Sequence, residues 1–288
     1  MKPAKEVIRS VRANFAQREI PDVDAEIIVA HVLGIERMDL HRKSYEINGE
    51  QLSEIDELVA QRINGVPTQY LVGEAPFRYL TFEVGPGVLI PRPETELLVD
   101  AAMVEIERLF SSFNRDTKSA ISVLDLGSGS GAIAISIAHE ARHRELPVHV
   151  VAVEKEIDAI TWLERNIAKH DVDVRVVKSD VADALLGVRA DIVVANPPYV
   201  PDEVSLPELV RGNEPATSLF GGPTGIDLPK RFITAGHRLL KSGGLLILEH
   251  YEDHVAELER FMHEGYFEFT SYNDFNNRPR WITARRRG

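Results

Sequence analysis

Residues 121–141 read ISVLDLGSGSGAIAISIAHEA. The run from Ile121 to Leu126 is short and almost wholly apolar, the pattern of a strand buried on both faces. Gly127-Ser128-Gly129-Ser130-Gly131 follows, and Ala132 to Ala141 then reads as a helix. Glycines at a strand-to-helix junction let the backbone turn tightly and approach a ligand closely. The same rhythm continues downstream. HVVAVE (149–154), VRVVKSD (174–180), DIVVAN (191–196) and LLILEH (245–250) are further strands. Helices are expected at 157–170 and from Asp227 to Leu240, the latter closed by Gly243 and Gly244. Val/Ile/Leu strands alternating with helices predict an α/β fold, a parallel sheet covered on both faces. FEFTSY (267–272) and RWITAR (280–285) lie close in sequence and are expected to pair antiparallel, making seven strands.

Upstream the character changes near residue 80. Ile55, Leu58, Val59 and Ile63 follow helical spacing, with Ser53 as the expected N-cap and Gly65 as the stop. Val23, Ile27 and Ala30 form a similar stripe before Gly34. Three segments are expected: a small all-helical domain over 1–80, a hairpin linker over 81–92, and an α/β domain over 93–288. Gly85, Pro86 and Gly87 supply the linker's turn. A helix should run from about Glu94 to Phe110, followed by a polar loop over 111–120.

Composition narrows the function. The 288 residues hold 33 Lys+Arg against 45 Asp+Glu, a net charge of −12. A chain that acidic lacks the electrostatic footprint of a general nucleic-acid binder. The 44% hydrophobic content is enough for a sizeable core. Cysteine is absent, which excludes disulfides, thiolate metal sites and a cysteine nucleophile. No apolar run reaches the ~18 residues of a membrane span, and the N-terminus lacks a signal peptide's apolar stretch. The expectation is a soluble, cytoplasmic protein.

Glu154 ends the strand after the glycine loop, where its carboxylate can accept hydrogen bonds from ribose hydroxyls. The loop alone fits a nicotinamide dinucleotide, S-adenosylmethionine or a purely structural turn. Asn196-Pro197-Pro198-Tyr199, directly after the fourth strand, breaks the tie. Prolines stiffen this backbone and remove two N–H groups, leaving an acceptor-rich corner. Asn196 adds a side-chain carbonyl and Tyr199 a flat face. Such a site suits a planar group carrying NH2, and methyl transfer to an amide or an exocyclic amine. A carboxamide nitrogen is a poor nucleophile, so methyl transfer to it depends on positioning, which can supply ~7–11 kcal/mol of a barrier. The Asn196 oxygen and the Pro197 carbonyl would stabilise charge developing on nitrogen. The plain alternative for this tetrapeptide is a rigid turn.

The sequence resembles the N5-glutamine methyltransferases of peptide chain release factors, the PrmC/HemK family. The resemblance runs nearly end to end: DAEIIVAHVLG (24–34), GVPTQYLVGEAPF (65–77), GVLIPRPETELLVD (87–100), VLDLGSGSGAIAISIA (123–138), NPPYVP (196–201) and EPATSLFGGPTGID (214–227). It implies a seven-stranded, Rossmann-like class I methyltransferase sheet and a helical domain that docks the release factor. It also implies S-adenosyl-L-methionine as cofactor and the glutamine of a Gly-Gly-Gln loop as acceptor. On this chain Gly127, Ser128, Gly129, Ser130 and Gly131 would wrap the cofactor's methionine part, and Glu154 would hold the ribose. Asp180 and Val181 would border the adenine. Asn196, Pro197, Pro198 and Tyr199 would seat the acceptor amide, with Asn196 also against the cofactor. Arg92 to Glu96 would lie against the cofactor and the substrate mouth, with Arg92 and Glu94 binding substrate. A monomer is expected, with no direct nucleic-acid or membrane partner. NPPY also fits an adenine-N6 nucleic-acid methyltransferase, the alternative reading.

Three departures from the family pattern stand out. Glu154 replaces the usual Asp; Val181 stands where an aromatic commonly covers the adenine; and Leu248-Glu249-His250-Tyr251 replaces Leu-Glu-Ile-Gly. Other signals carry less. His139-Glu140-Ala141-Arg142-His143 matches H-E-x-x-H, but His139 is expected on the solvent side of its helix without a third ligand. His250 and His254 are read the same way. Arg285, Arg286 and Arg287 read as a solvated tail. Asp180 is open between touching the adenine and capping a helix.

Overall fold

A computed structural model describes residues 1–112, 120–205 and 212–288. The chain forms two compact units. The first comprises Met1–Glu74 together with Gly212 and Asn213, and the second takes the rest.

The first unit is helical, as its apolar spacing predicts. Its helices are Ala4–Ala16, Asp22–Leu33, Asp39–Arg42, Gly49–Ile63 and Thr68–Val72. Two short strands, β1 (Lys2–Pro3) and β2 (Glu46–Ile47), pair antiparallel. Phe15, Ala25, Ile28, Val29 and Ile55 are fully buried at its centre. Two details differ from the sequence expectation. Asn48, not Ser53, caps helix Gly49–Ile63, through a reciprocal pairing with Gln51. Ser53 lies inside the helix and donates to the Gly49 carbonyl. On helix Asp22–Leu33 Val23 faces solvent, while Asp24 and Glu26 are buried. Charged residues occupy the inner face because arginines meet them there: Arg62 holds Asp24, and Arg12 and Arg37 hold Glu26. An apolar-stripe count misses paired charges of this kind.

The hairpin lies earlier than 81–92. It consists of β3 (Glu74–Phe77) and β4 (Leu80–Glu83). Its connection is Arg78–Tyr79, and Gly85-Pro86-Gly87 follows it. Pro86 accepts from the Trp162 indole, and a side chain at Gly85 would strike that ring. Arg78 is pinned by Asp100 and Glu140. Glu140 of the H-E-x-x-H run is thereby buried in ion pairs, with Arg144 as its second partner.

The second unit is built on a seven-stranded sheet. Its strands are β5 (Ile121–Leu126), β6 (Val148–Glu154), β7 (Val174–Lys178), β8 (Ala190–Ala195), β9 (Leu240–Glu249), β10 (Tyr266–Asn273) and β11 (Pro279–Arg286). The order is β10-β11-β9-β8-β5-β6-β7. β5 to β9 run parallel, and β11 runs antiparallel to both of its neighbours, β9 and β10. Helices Glu96–Ser112, Ala132–His143, Ile157–His170, Asp227–Leu239 and Val255–Met262 accompany the sheet. The expected 111–120 loop falls mostly on 113–119, outside the described residues; Ser111 and Ser112 complete a helix. Gly243 and Gly244 do not close the preceding helix but lie within β9, where its register with β8 shifts. Glycine tolerates that irregular backbone.

Two corrections concern charged residues near the C-terminus. Arg285 is no solvated tail: it lies in β11, bidentate to the buried Glu105. Arg287 donates to the Tyr266 carbonyl. His250 and His254 are buried rather than solvent-facing, packed near Tyr251 and Thr224.

Candidate active site

Successive strands run outward from β5 to β7, and the chain then returns to β8 on the other side of β5. Between β5 and β8 the connections diverge, which opens a crevice at the strands' carboxyl ends. The glycine turn leaves β5 there and Asn196 leaves β8 there, so topology alone brings the two motifs together.

The Gly127 and Ser128 N–H groups both donate to the Val153 carbonyl, which pins the turn against the end of β6. Glu154, 8% exposed, accepts from Gly129 N at 2.9 Å and from the N–H groups of Lys155 and Glu156 at 2.7 and 3.0 Å. Its carboxylate is thus held rigidly beside the glycine turn, with lone pairs left for further donors. The longer Glu reaches this position because its oxygens fold back onto backbone donors.

The middle and last glycines of the turn differ in kind. Gly129 has φ +55°, and an added Cβ would meet nothing nearer than Val88 at 4.0 Å. At Gly131, φ +86°, a Cβ would lie 2.5 Å from Leu163 and 2.7 Å from Ile135. Gly129 lines the cavity, whereas Gly131 lets a helix pack closely and does not line it.

A cleft with roughly 980 Å³ of non-atom space, open solvent at its mouth included, spans this edge. Gly127, Ser128, Gly129 and Ser130 line it, as do Glu154, Asp180, Val181, Arg92, Asn196 and Pro198. Pro197, Tyr199 and Glu94 do not. Asp180 caps the turn that follows it, accepting from Ala182 N, and also pairs with Arg231; it lines the cleft as well, so its two readings coexist. Val181 supplies an apolar wall, and Phe232, which belongs to no local sequence motif, brings an aromatic ring. Arg92 pairs with Glu214 Oε1 at 2.5 Å, and the other Glu214 oxygen accepts from Ile90 N at 3.2 Å.

Asp125, fully buried, sits beneath the turn and accepts from Ala134 N at 3.1 Å. Burial, with the Glu154 charge adding to it, pushes its carboxyl up to about 7. At the other wall Asn196 donates to Thr95 Oγ1 at 3.0 Å, and Tyr199 donates to Glu249 at 2.8 Å. The Asn-Pro-Pro-Tyr backbone is buttressed from behind. Val200 N donates to Leu219 O, Gly221 N donates to Val200 O, and Gly225 lies so close to the Tyr199 carbonyl that no side chain fits. These groups come from the 214–227 run, whose role the sequence alone did not specify.

The donor set fits S-adenosylmethionine. A glycine-rich turn, a fixed carboxylate beyond it and an apolar wall match a methionine part, a ribose and an adenine in sequence. The sheet order, glycine turn, Glu154 and Asn196 together define a class I S-adenosylmethionine-dependent methyltransferase. The solved 16S rRNA N2 G1207 methyltransferase of T. thermophilus, in complex with AdoMet and guanosine, shares this fold; the TM-score is 0.51 at 22% identity over 74% of this chain and 50% of that one. Residues 6–73 match the PrmC N-terminal domain and residues 107–211 the methyltransferase small domain. The release factor glutamine methyltransferase of Mycolicibacterium smegmatis is 37% identical, over 92% of this chain and 91% of its own length. That of Escherichia coli K12 is 32% identical, over 96% and 97%. The chain belongs to the release factor glutamine methyltransferase family.

Proposed function

We propose that this enzyme methylates the side-chain amide nitrogen (N5) of the glutamine in the Gly-Gly-Gln loop of a peptide chain release factor. The observation that carries this reading is Asn196 beside the glycine turn, at the crevice where the strand order reverses. S-adenosylmethionine, when bound, supplies a methyl group already activated on a sulfonium. Gly127 to Ser130 and Glu154 are the residues proposed to hold it, with Val181 and Phe232 against its adenine. Asn196 Oδ1 accepts an N–H of the incoming carboxamide and aims its nitrogen, and the proline-rich backbone adds carbonyl acceptors. An acceptor fixed beforehand stabilises charge appearing on nitrogen without reorganising. The amide proton leaves after transfer, so no strong base is needed.

Arg92, tethered to Glu214, borders the mouth through which the loop would enter. The helical unit matching the PrmC N-terminal domain is proposed to dock the release factor. We read the enzyme as a cytoplasmic monomer without direct nucleic-acid contact. No helix among the described residues is long and apolar enough to cross a membrane. The net charge of −12 and the names of the relatives disfavour adenine-N6 methylation of nucleic acid. Incubation with labelled S-adenosylmethionine and a release factor tests the reading. Label is expected on the wild-type factor and not after its loop glutamine is replaced. Equal label on both would refute it.

A further inference from the structure

Behind Asn196 lies a chain of buried polar groups. Asn196 Nδ2 donates to Thr95 Oγ1 at 3.0 Å, and Thr95 Oγ1 donates to Glu249 Oε2 at 2.7 Å. The other Glu249 oxygen accepts from Tyr199 at 2.8 Å. Thr95 is 4% exposed and Glu249 fully buried, so water does not substitute for these bonds.

A hydroxyl has one proton, and an ionised carboxylate only accepts. Burial, the largest influence, raises the Glu249 carboxyl above the ordinary carboxylate range, with Thr95, Tyr199 and Arg280 opposing it. Both of its oxygens nonetheless accept from hydroxyls, Thr95 on one and Tyr199 on the other, so Glu249 acts here as the acceptor. The Thr95 proton therefore points at Glu249. Only lone pairs remain on Thr95 toward Asn196, so Asn196 must present its NH2 there. Its oxygen then occupies the other end of the amide, free for a donor in the cleft that Thr95 and Asn196 both line.

We propose that Thr95 and Glu249 are positioning residues that fix the amide orientation of Asn196, so that its oxygen meets the carboxamide to be methylated. This rests on the methyl-transfer reading above. The reverse orientation sets an N–H2 against the incoming N–H2, with no acceptor between them. Glu249→Gln makes that reverse orientation available without breaking a bond. The new Nε2 donates to Thr95, Thr95 donates to Asn196 Oδ1, and the Gln oxygen still accepts from Tyr199. The packing survives while the polarity inverts.

The test compares wild type, Glu249→Gln, Thr95→Val, Thr95→Ser and the Thr95→Val/Glu249→Gln double variant. Transfer to a release factor gives kcat and KM, and calorimetry gives cofactor affinity. Glu249→Gln should lower kcat about 10²-fold, the scale of a lost preorganised contact, with cofactor affinity within about 2-fold. Thr95→Ser should recover most of the kcat lost in Thr95→Val. The double variant should be no slower than the slower single one, because both act through Asn196. Independently of activity, the Asn196 side-chain amide NMR signal, assigned by its loss in Asn196→Asp, should shift in Glu249→Gln. A Glu249→Gln kcat within about 3-fold of wild type, multiplicative losses in the double variant, or an unmoved signal would each overturn the proposal. Failure of the wild type to label a release factor would refute the functional reading instead, while the NMR result would still decide the orientation.

Discussion

The sharpest distinction in the glycine turn is between Gly129 and Gly131, and paired alanine substitutions expose it. Both residues have positive φ, so each substitution forces a left-handed alanine at roughly 1–2 kcal/mol. Only Gly131→Ala also drives a Cβ to 2.5 Å from Leu163 and 2.7 Å from Ile135. Overpacking a close-packed interior costs typically 1–3 kcal/mol more. Gly131→Ala should therefore destabilise by about 2–5 kcal/mol, against about 1–2 for Gly129→Ala. Near 3 kcal/mol, the unfolding midpoint of a domain this size falls by about 6–12 °C. Affinity should rank the other way. Gly129 lines the cleft with no protein atom inside 4.0 Å of its would-be methyl. Gly129→Ala should weaken S-adenosylmethionine binding by about tenfold or more, ~1.4 kcal/mol, and folded Gly131→Ala by much less. Scanning calorimetry without ligand and titration calorimetry with it measure the two effects. Equal midpoints for the two variants, or unchanged affinity in Gly129→Ala, would refute the division between packing glycine and cradle glycine.

Further expectations concern the rest of the site. Asn196→Ala should lower kcat by about 10²–10³ in single-turnover transfer, while calorimetry shows cofactor affinity within a few-fold; Thr95 still donates to Glu249 at 2.7 Å, so no buried donor is orphaned. Asp125 provides a pH signature. Its folded carboxyl, raised from 3.8 to about 7, binds a proton that the unfolded chain releases. Its contribution is fully present below pH 3.8 and is lost as pH rises through 7. Relative to wild type, Asp125→Asn should gain about 4 kcal/mol across that window, roughly three pH units at 1.36 kcal/mol each; denaturant unfolding at pH 4 and pH 7.5 giving the same difference would contradict the buried, protonated state. Arg92→Ala leaves the almost wholly buried Glu214 carboxylate without its partner. It should cost about 3–5 kcal/mol in denaturant unfolding, and a loss under 1 kcal/mol would mean that this pair contributes little.

Most of the fold was legible because its signals are local. The strands at 121–126 and 191–195 are short runs dominated by Val, Ile and Leu, and helix 157–170 carries a regular apolar face, so neither needed tertiary information. Sequence spacing was less informative where charge is buried. Asp24, Glu26 and Glu105 occupy inner faces because arginines distant in sequence reach them. Within the site, the glycine turn, Glu154 and Asn196 were readable since each combines a strand end with a residue of distinct chemistry. Thr95 was placed only as part of the Arg92–Glu96 stretch, and Glu214 and Glu249 had no role of their own: each is ordinary by itself and gains meaning from a partner 101 to 154 positions away.

The sequence by itself determined the α/β alternation, the nucleoside-cofactor turn and the acceptor-rich corner, because those follow from periodicity, backbone freedom and hydrogen-bonding capacity carried by adjacent residues. Tertiary structure alone decided which glycine serves packing rather than the ligand, which carboxylates are neutralised, and which end of the Asn196 amide faces the cleft. Those outcomes depend on desolvation and on the direction of single protons, which no residue sets without its neighbours in space.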